Sequence, residues 1–177
     1  MEHAVLVSIV CRDRPGLVAA VSGRLYDLGA NLADTTFAVL GEGAEFTAVV
    51  LPAKDQTGED IRRELAALDE IADGTVDVRD WRLSTHHAPS GRITHRIEVA
   101  GGDRPGLIAR LSEVFGQFGA NIVRLNAETI PGTGGAQYVT RFAVWIPAER
   151  ADACLATVGN TAGELRLVFR WSRADPA

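Results

Sequence analysis

The sequence contains one motif twice, ninety positions apart. Asp13-Arg14-Pro15-Gly16-Leu17 is repeated as Asp103-Arg104-Pro105-Gly106-Leu107, and Gly29-Ala30-Asn31-Leu32 is matched by Gly119-Ala120-Asn121-Ile122 at the same offset. Self-similarity at a fixed offset is typical of duplicated structural units. The chain of 177 residues is therefore predicted to fold into two modules of one kind.

Each copy of the motif lies between an apolar run and a helical pattern. In the first copy, Leu17, Val21 and Leu25 recur at the spacing of one helix face, and the second copy has apolar residues at the same positions. The motif is thus interpreted as a strand-to-helix turn, with Asp as the N-cap and Pro in the first helical turn. Free amides and a positive dipole end, with only Gly in front, favour a bound carboxylate.

The remaining patterns predict the order β-α-β-β-α-β in each half. In the first half they place strands at 4–11, 31–40, 45–51 and 75–83, with helices at 15–28 and 61–71. In the second half they place strands at 93–100, 121–130, 137–146 and 164–171, with helices at 105–118 and 148–160. Right-handed crossovers turn this order into an α+β fold: two ferredoxin-like βαββαβ modules in tandem, with antiparallel sheets and helices on one face. The predicted boundaries are 1–83 and 93–173, with a polar, turn-rich linker at 84–92.

Two details of the packing also follow from the patterns. The strand at 4–11 is almost wholly apolar, which predicts burial on both faces. An open sheet face formed by Leu6, Val10, Ala48 and Val50 would need a cover and favours a homodimer.

Two tryptophans, Trp81 and Trp171, share the ninety-residue offset, but the apolar residues before them alternate out of phase. A bulge and a slipped alignment both explain that mismatch.

Composition excludes several classes of function. A net charge of −5 and a pI near 5.4 argue against direct binding of nucleic acid. No apolar run approaches the ~18–20 residues of a membrane span, so a cytoplasmic protein is predicted. Cys11 and Cys154 lack metal-site or redox spacing and are expected to be reduced thiols. The adjacent His86 and His87 lack companion ligands, so neither a metal nor another cofactor is expected.

The turn motif, with Gly-Ala-Asn-Leu or Gly-Ala-Asn-Ile opening the second strand of a βαββαβ unit, resembles the ACT domain, a small regulatory module that binds amino acids. Two copies without a catalytic domain look most like the glycine cleavage system transcriptional repressor family. The resemblance implies a ligand at an interface between two ACT units. The first turn of one unit and the start of the second strand of its neighbour would hold that ligand.

Carried over residue by residue, the resemblance implicates one set of ligand-binding positions in each module: Asp13, Arg14, Gly16 and Asn31, and Asp103, Arg104, Gly106 and Asn121. The amides of Gly16 and Leu17, matched by Gly106 and Leu107, would donate to a carboxylate, and Asp13 would accept from an ammonium group. The alternatives are structural: Asp as a cap, Gly and Asn as turn residues, and Arg paired with nearby acids. Some serine-binding members of the family have Asn in place of Asp13 and Asp103, and His in place of Cys11 and Gly101.

These observations predict a non-enzymatic regulatory protein that binds a small amino acid, glycine or serine. Its occupancy would be sensed by a transcription factor or metabolic enzyme, with the glycine cleavage system as the candidate target. One alternative is an acylphosphatase-like hydrolase of the same topology, although an Asp at the turn is unfavourable for phosphate. Another is a protein-interaction module without a ligand. RNA binding is not supported, because the central strands lack exposed aromatics.

Overall fold

The structure, a computed structural model, describes residues 3–131 and 135–174. It divides into two compact units between Thr85 and His86, called module 1 and module 2 below. Module 1 contains the strands β1 (Val5–Arg12), β2 (Asn31–Leu40), β3 (Gly43–Leu51) and β4 (Thr75–Asp80), and the helices α1 (Leu17–Asp27) and α2 (Gly58–Ala66). Module 2 contains β5 (His95–Gly101), β6 (Asn121–Ile130), β7 (Gln137–Trp145), β8 (Val168–Arg173), α3 (Leu107–Gln117) and α4 (Ala151–Glu164).

Each module has one four-stranded antiparallel sheet. The strand order is β2-β3-β1-β4 in module 1 and β6-β7-β5-β8 in module 2. The predicted α+β fold with two βαββαβ modules is therefore confirmed. The predicted hairpin loop of the second module includes residues 132–134, which lie outside the described residues.

The helix-facing side of each sheet forms the core. In module 1 this side of β1 is buried, as are the facing residues of α1 and α2: Val5, Val7, Ile9, Cys11, Leu17, Val21, Leu25, Ile61 and Leu65. The other side of β1 is not covered to the same extent, since Val10 is 54% exposed. The prediction of burial on both faces is thus wrong for this end of the strand.

The register of β3 corrects a second expectation. Ala48 pairs with Val7 and Val50 pairs with Val5, and directly opposed residues point to the same side of a sheet. Both therefore lie in the core, whereas Leu6 and Val10 lie on the open face as predicted. The strand begins at Gly43, and the hairpin fixes which of its residues oppose β1.

The two tryptophans with the shared offset are not structurally equivalent. Val7 pairs with Val78, but its counterpart Ile97 pairs with Trp171. The amide of Trp81 donates to Ala4 O at 2.9 Å, and in module 2 the matching bond runs from Ala174 to Thr94 O, also at 2.9 Å. β8 is therefore displaced by three residues relative to the repeat. A slipped alignment, rather than a bulge, explains the mismatch.

The displacement arises because α4 is longer than α2, with 14 residues against 9. Glu164 still belongs to the helix, so the predicted strand at 164–171 starts too early. Apolar residues at this point fit both a helix and a strand pattern, and short apolar runs do not separate the two.

An exchange of side-chain volume accompanies the displacement. A Cβ placed on Gly74 would lie 2.5 Å from Cys11 Cβ and 2.8 Å from Val10 O. In module 2 the counterpart of Gly74 is Leu167, and the counterpart of Cys11 is Gly101. A Cβ on Gly101 would lie 2.5 Å from Leu167 Cδ2. Each module thus has one side chain at this crossing, supplied by β1 in module 1 and by the residue before β8 in module 2, and the Cys11/Gly101 difference is one of packing.

The buried side chain of His95 is expected to make module 2 less stable at acidic pH. The residue is 6% exposed, and its ring lies 5.7 Å from the Trp171 ring and bonds through Nδ1 to Thr94 Oγ1 at 2.9 Å. Burial, and then the charge of Arg173, lower the pKa of His95, with Asp152 opposing them. Because the unfolded chain binds the proton more readily, this contribution to stability is complete above about pH 6.5 and is lost as the pH falls below it.

The expected result is a thermal midpoint that decreases between pH 7 and pH 5. His95→Gln should reduce that decrease, because up to one proton fewer is taken up on unfolding. His3→Gln changes an exposed histidine and serves as the control. An unchanged pH profile in His95→Gln, measured by circular dichroism, would contradict the assignment.

Candidate functional site

The repeated motif forms a tight turn ahead of each first helix. Gly16 has φ 90° and ψ −9°, and the Leu17 amide donates to Arg14 O at 3.3 Å. In module 2, Gly106 has φ 78° and ψ 7°, with the matching bond at 3.1 Å. These are the values of the third residue of a type II turn, which requires glycine and often has proline before it.

This geometry corrects the interpretation of the helix start. Gly16 and Gly106, not Asp13 and Asp103, occupy the N-cap positions, and no side chain caps either helix. Proline lies in the turn rather than in the helix, because the glycine after it has a positive φ that an α-helix cannot contain. The exposed carboxylates of both aspartates are therefore not engaged in capping.

The turn leaves helix amides without partners. The Leu17 amide is used within the turn, and the Ala20 amide donates to Gly16 O at 2.9 Å. Between them, the amides of Val18 and Ala19 donate to no acceptor in the part of the chain that the structure describes. The same holds for Ile108 and Ala109 in module 2. The sequence pattern located the turn but not these four donors, because their availability depends on where the first helical hydrogen bond falls.

Neither turn is covered by packed side chains. A Cβ built on Gly16 or Gly106 meets no described atom within 4 Å. Both glycines, and Asp13 and Asp103 beside them, are exposed. Each turn with its two amides, called the corner of its module below, is therefore open to a small anion.

The arginines of the two corners differ in their partners. Arg14 donates to Asp73 Oδ2 at 2.8 Å and to Asp69 O at 2.9 Å. Arg104 is exposed and forms no ion pair within residues 3–131 and 135–174. The ion pair joins residues 59 positions apart, so no local pattern could have indicated it. The charge of Arg14 is balanced within module 1, whereas that of Arg104 is available to a ligand.

The asparagines lie at the opposite end of their sheets. Asn31 pairs with Leu51 beside the start of β1, whereas the corner follows Arg12 at its end. At about 3.3 Å per residue, the seven steps from Val5 to Arg12 separate the two ends by roughly 23 Å. A small molecule cannot contact both Asn31 and the corner of the same module. The analogous separation applies to Asn121.

The two asparagines also differ in their contacts. Asn121 Nδ2 donates to Ser90 O at 2.9 Å, which ties the start of β6 to the segment before β5. Asn31 is exposed and forms no side-chain hydrogen bond to a described residue. Its neighbour Leu51 lines an open cavity of about 640 Å³ together with Lys54, Gln56 and Asp80. The side-chain amide of Asn121 is therefore engaged within its module, whereas that of Asn31 is not engaged by a described residue.

Neither the cysteines nor a metal-binding cluster offers a second candidate site among the described residues. Both cysteines are buried and free, and burial raises the pKa of each, that of Cys154 to about 11. Over the described ranges, no group of three or more His, Cys, Asp or Glu residues could hold a metal ion. Among the described helices, none has the length and apolar character needed to cross a membrane.

Comparison with known proteins gives relatives over the whole chain and over part of it. No protein-family model matches the sequence. The chain is 25% identical over 176 residues to the glycine cleavage system transcriptional repressor of Escherichia coli K12, covering 94% of this chain and 91% of that protein. It is 32% identical over 74 residues to UPF0237 protein SMU_72 of Streptococcus mutans, covering 42% of this chain and 84% of that protein.

A solved structure supports the fold over the full length. The crystal structure of a protein from Galdieria sulphuraria matches with a TM-score of 0.74 at 22% identity, covering 97% of this chain and 98% of that one. At that identity the likeness concerns the fold alone. The chain therefore belongs, through one 74-residue stretch, to the family of the UPF0237 proteins, and over its full length it resembles the glycine cleavage system transcriptional repressor.

Proposed function

We propose that this protein is a non-enzymatic regulator that binds glycine or serine and transmits its occupancy to a transcription factor or metabolic enzyme of glycine metabolism. The ligand carboxylate binds the unpaired amides at a corner, and its ammonium group binds the adjacent aspartate, Asp13 or Asp103. An asparagine edge supplied by another module completes the site. The name of the Escherichia coli relative supports the link to glycine cleavage.

The observation that carries the proposal is the pair of unpartnered amides at each corner. Two adjacent N–H groups at a helix N-terminus, with no side chain in front, can both donate to one carboxylate. Their arrangement is duplicated with the same turn geometry in both modules. A turn that served only to connect a strand to a helix would not require an open approach to these donors.

The expected affinity is modest. Glycine has five heavy atoms, and a ceiling of about 1.5 kcal/mol per atom gives roughly −7.5 kcal/mol, or a Kd no tighter than low micromolar. Affinity in this range suits a sensor of a metabolite, because occupancy then follows concentration. Binding at an interface would favour one arrangement of modules, and a partner that prefers this arrangement would respond.

The test is calorimetric titration of the full chain with each of the twenty amino acids. Glycine or serine is expected to bind with a micromolar to millimolar Kd, and larger side chains are expected to bind more weakly. Folded protein that binds none of the twenty would overturn the proposal. Preferential binding of a large or aromatic amino acid would retain the sensor but refute the assigned ligand.

A further inference from the structure

The ion pair that holds Arg14 in module 1 is replaced in module 2 by two like charges. Arg14 Nη2 lies 2.8 Å from Asp73 Oδ2. Asp73 precedes Gly74, whose counterpart in module 2 is Leu167 by the strand register. The residue before Leu167 is Arg166. The position that neutralises the arginine of the corner in module 1 therefore carries a second arginine in module 2.

The other surroundings of the two corners differ in the same direction. The main-chain oxygen of Asp69 accepts a second bond from Arg14 at 2.9 Å, and it belongs to a short helical turn before β4. In module 2 the longer helix α4 replaces this turn and continues to Glu164. Although Glu164 lies two residues before Arg166, neither Arg104 nor Arg166 forms an ion pair with a residue that the structure describes.

Side chains at these two positions are close enough to act on one ligand. In module 1 they are in contact, as the ion pair shows. The main chains of module 2 approach closely at the same point, since a Cβ on Gly101 would lie 3.5 Å from Leu167 Cα. Two guanidinium groups at these positions repel each other, and a carboxylate beside them is attracted by both. Arg104 and Arg166 therefore favour an anion at the corner of module 2.

The main chain at Arg166 does not account for an arginine there. Its φ is 58°, in the left-handed region. The Arg166 amide donates to Gly163 O and the Leu167 amide donates to Ala162 O, both at 2.9 Å, which is the pattern of a Schellman motif at a helix end. Glycine or asparagine is usual at this position, because a long side chain is unfavourable there. The side-chain charge, rather than the turn, distinguishes Arg166.

We propose that the corner of module 2 is the tighter amino-acid site of this chain, with Arg104 and Arg166 attracting the carboxylate that the free amides bind. The corner of module 1 binds the same ligand more weakly, because Asp73 already engages Arg14. The aspartate of the motif is exposed in both modules and does not distinguish them. The proposal rests on the proposed function, and it adds which corner is occupied first as the ligand concentration rises.

The test is a titration of the ¹⁵N-labelled full chain with glycine, and separately with serine, followed by two-dimensional ¹H–¹⁵N NMR. The amide signals of Gly16 and Gly106 report the two corners independently. The Kd from the Gly106 signal is expected to be about fivefold lower than that from the Gly16 signal. Hydrogen bonds to charged groups change a Kd roughly ten- to hundredfold, and solvent screening of exposed arginines reduces this factor.

Substitutions at two equivalent positions isolate the charges. Arg166→Asp imports the residue of module 1 and should raise the Kd at Gly106 about fivefold. Arg166→Asn suits the same backbone conformation, removes only the charge, and should raise it about twofold. Asp73→Ala should lower the Kd at Gly16 about threefold, because it releases the arginine of that corner. As a control, Arg170→Asp makes the same change of charge farther along β8 and should leave both Kd values unchanged. The dispersion of each spectrum verifies folding.

The results that would overturn this proposal are separate from the one that would overturn the proposed function. Equal Kd values at the two corners, or a lower Kd at Gly16, would refute the difference between the modules and leave the proposed function intact. Equal effects of Arg166→Asp and Arg170→Asp would remove Arg166 from the site. Signals that shift at neither corner, with either amino acid, would refute the proposed function and this proposal together.

Discussion

Replacing Gly74 with alanine is expected to lower the free energy of unfolding by about 3 kcal/mol, the upper range for overpacking a filled site. The new Cβ would lie 2.5 Å from Cys11 Cβ and 2.8 Å from Val10 O. The second contact involves backbone in a paired strand, which cannot move away without breaking sheet hydrogen bonds. Urea denaturation followed by circular dichroism measures the loss.

Gly23→Ala in α1 is the matched control. Its Cβ would meet no described atom within 4 Å, so the same chemical change should stabilise the helix by about 0.5–1 kcal/mol. Adding Cys11→Gly to Gly74→Ala should recover part of the loss, since it imports the glycine that module 2 has at this crossing. If Gly74→Ala and Gly23→Ala had equal effects, the packing exchange described above would be wrong.

Replacing Ala19 and Ala109 together with proline is expected to weaken amino-acid binding by at least tenfold. Each substitution deletes one N–H group that has no partner within the protein, so no internal hydrogen bond is lost. Hydrogen bonds to a charged group contribute about 1.5–3 kcal/mol, which corresponds to a ten- to hundredfold change in Kd. Proline is tolerated in the first helical turn at a modest cost to stability.

The control is the double variant Ala19→Ser with Ala109→Ser, which keeps both amides and adds a small side chain. Its affinity should stay within about twofold of the wild type, because the donors belong to the backbone. Calorimetry on both variants separates the loss of an amide donor from the effect of a larger side chain. Unchanged affinity in the proline variant would move the ligand away from the corners, and equal losses in both variants would indicate side-chain crowding instead.

The sequence predicted the fold because its signals are local and repeated. Glycine after proline fixes a type II turn through its positive φ, and apolar spacing of three and four residues fixes the buried side of α1 and α3. The bounds of β2 and β6 agree with the predicted ranges at both ends. The patterns failed around α4 and β8, where Leu165 and Leu167 fit a helix and a strand equally well.

The candidate site shows a similar division. The sequence located the corners and both asparagines, since these residues belong to the repeated motif. It did not reveal that the amides of Val18 and Ala19 are the ones left free, or that Arg14 is held by Asp73. The hydrogen-bond pattern of the turn determines which amides are left free. A contact between residues far apart in the chain pairs Arg14 with Asp73.

By itself, the sequence determined that this protein has two βαββαβ modules, each with a glycine-containing turn before its first helix. Turn chemistry and hydrophobic periodicity act over a few residues, so they can be read in order along the chain. Only the tertiary structure decided the register of β8 and the exchange of Cys11 and Gly74 for Gly101 and Leu167. These features depend on which residues lie opposite one another across strands, and strand pairing is fixed by packing of the whole module.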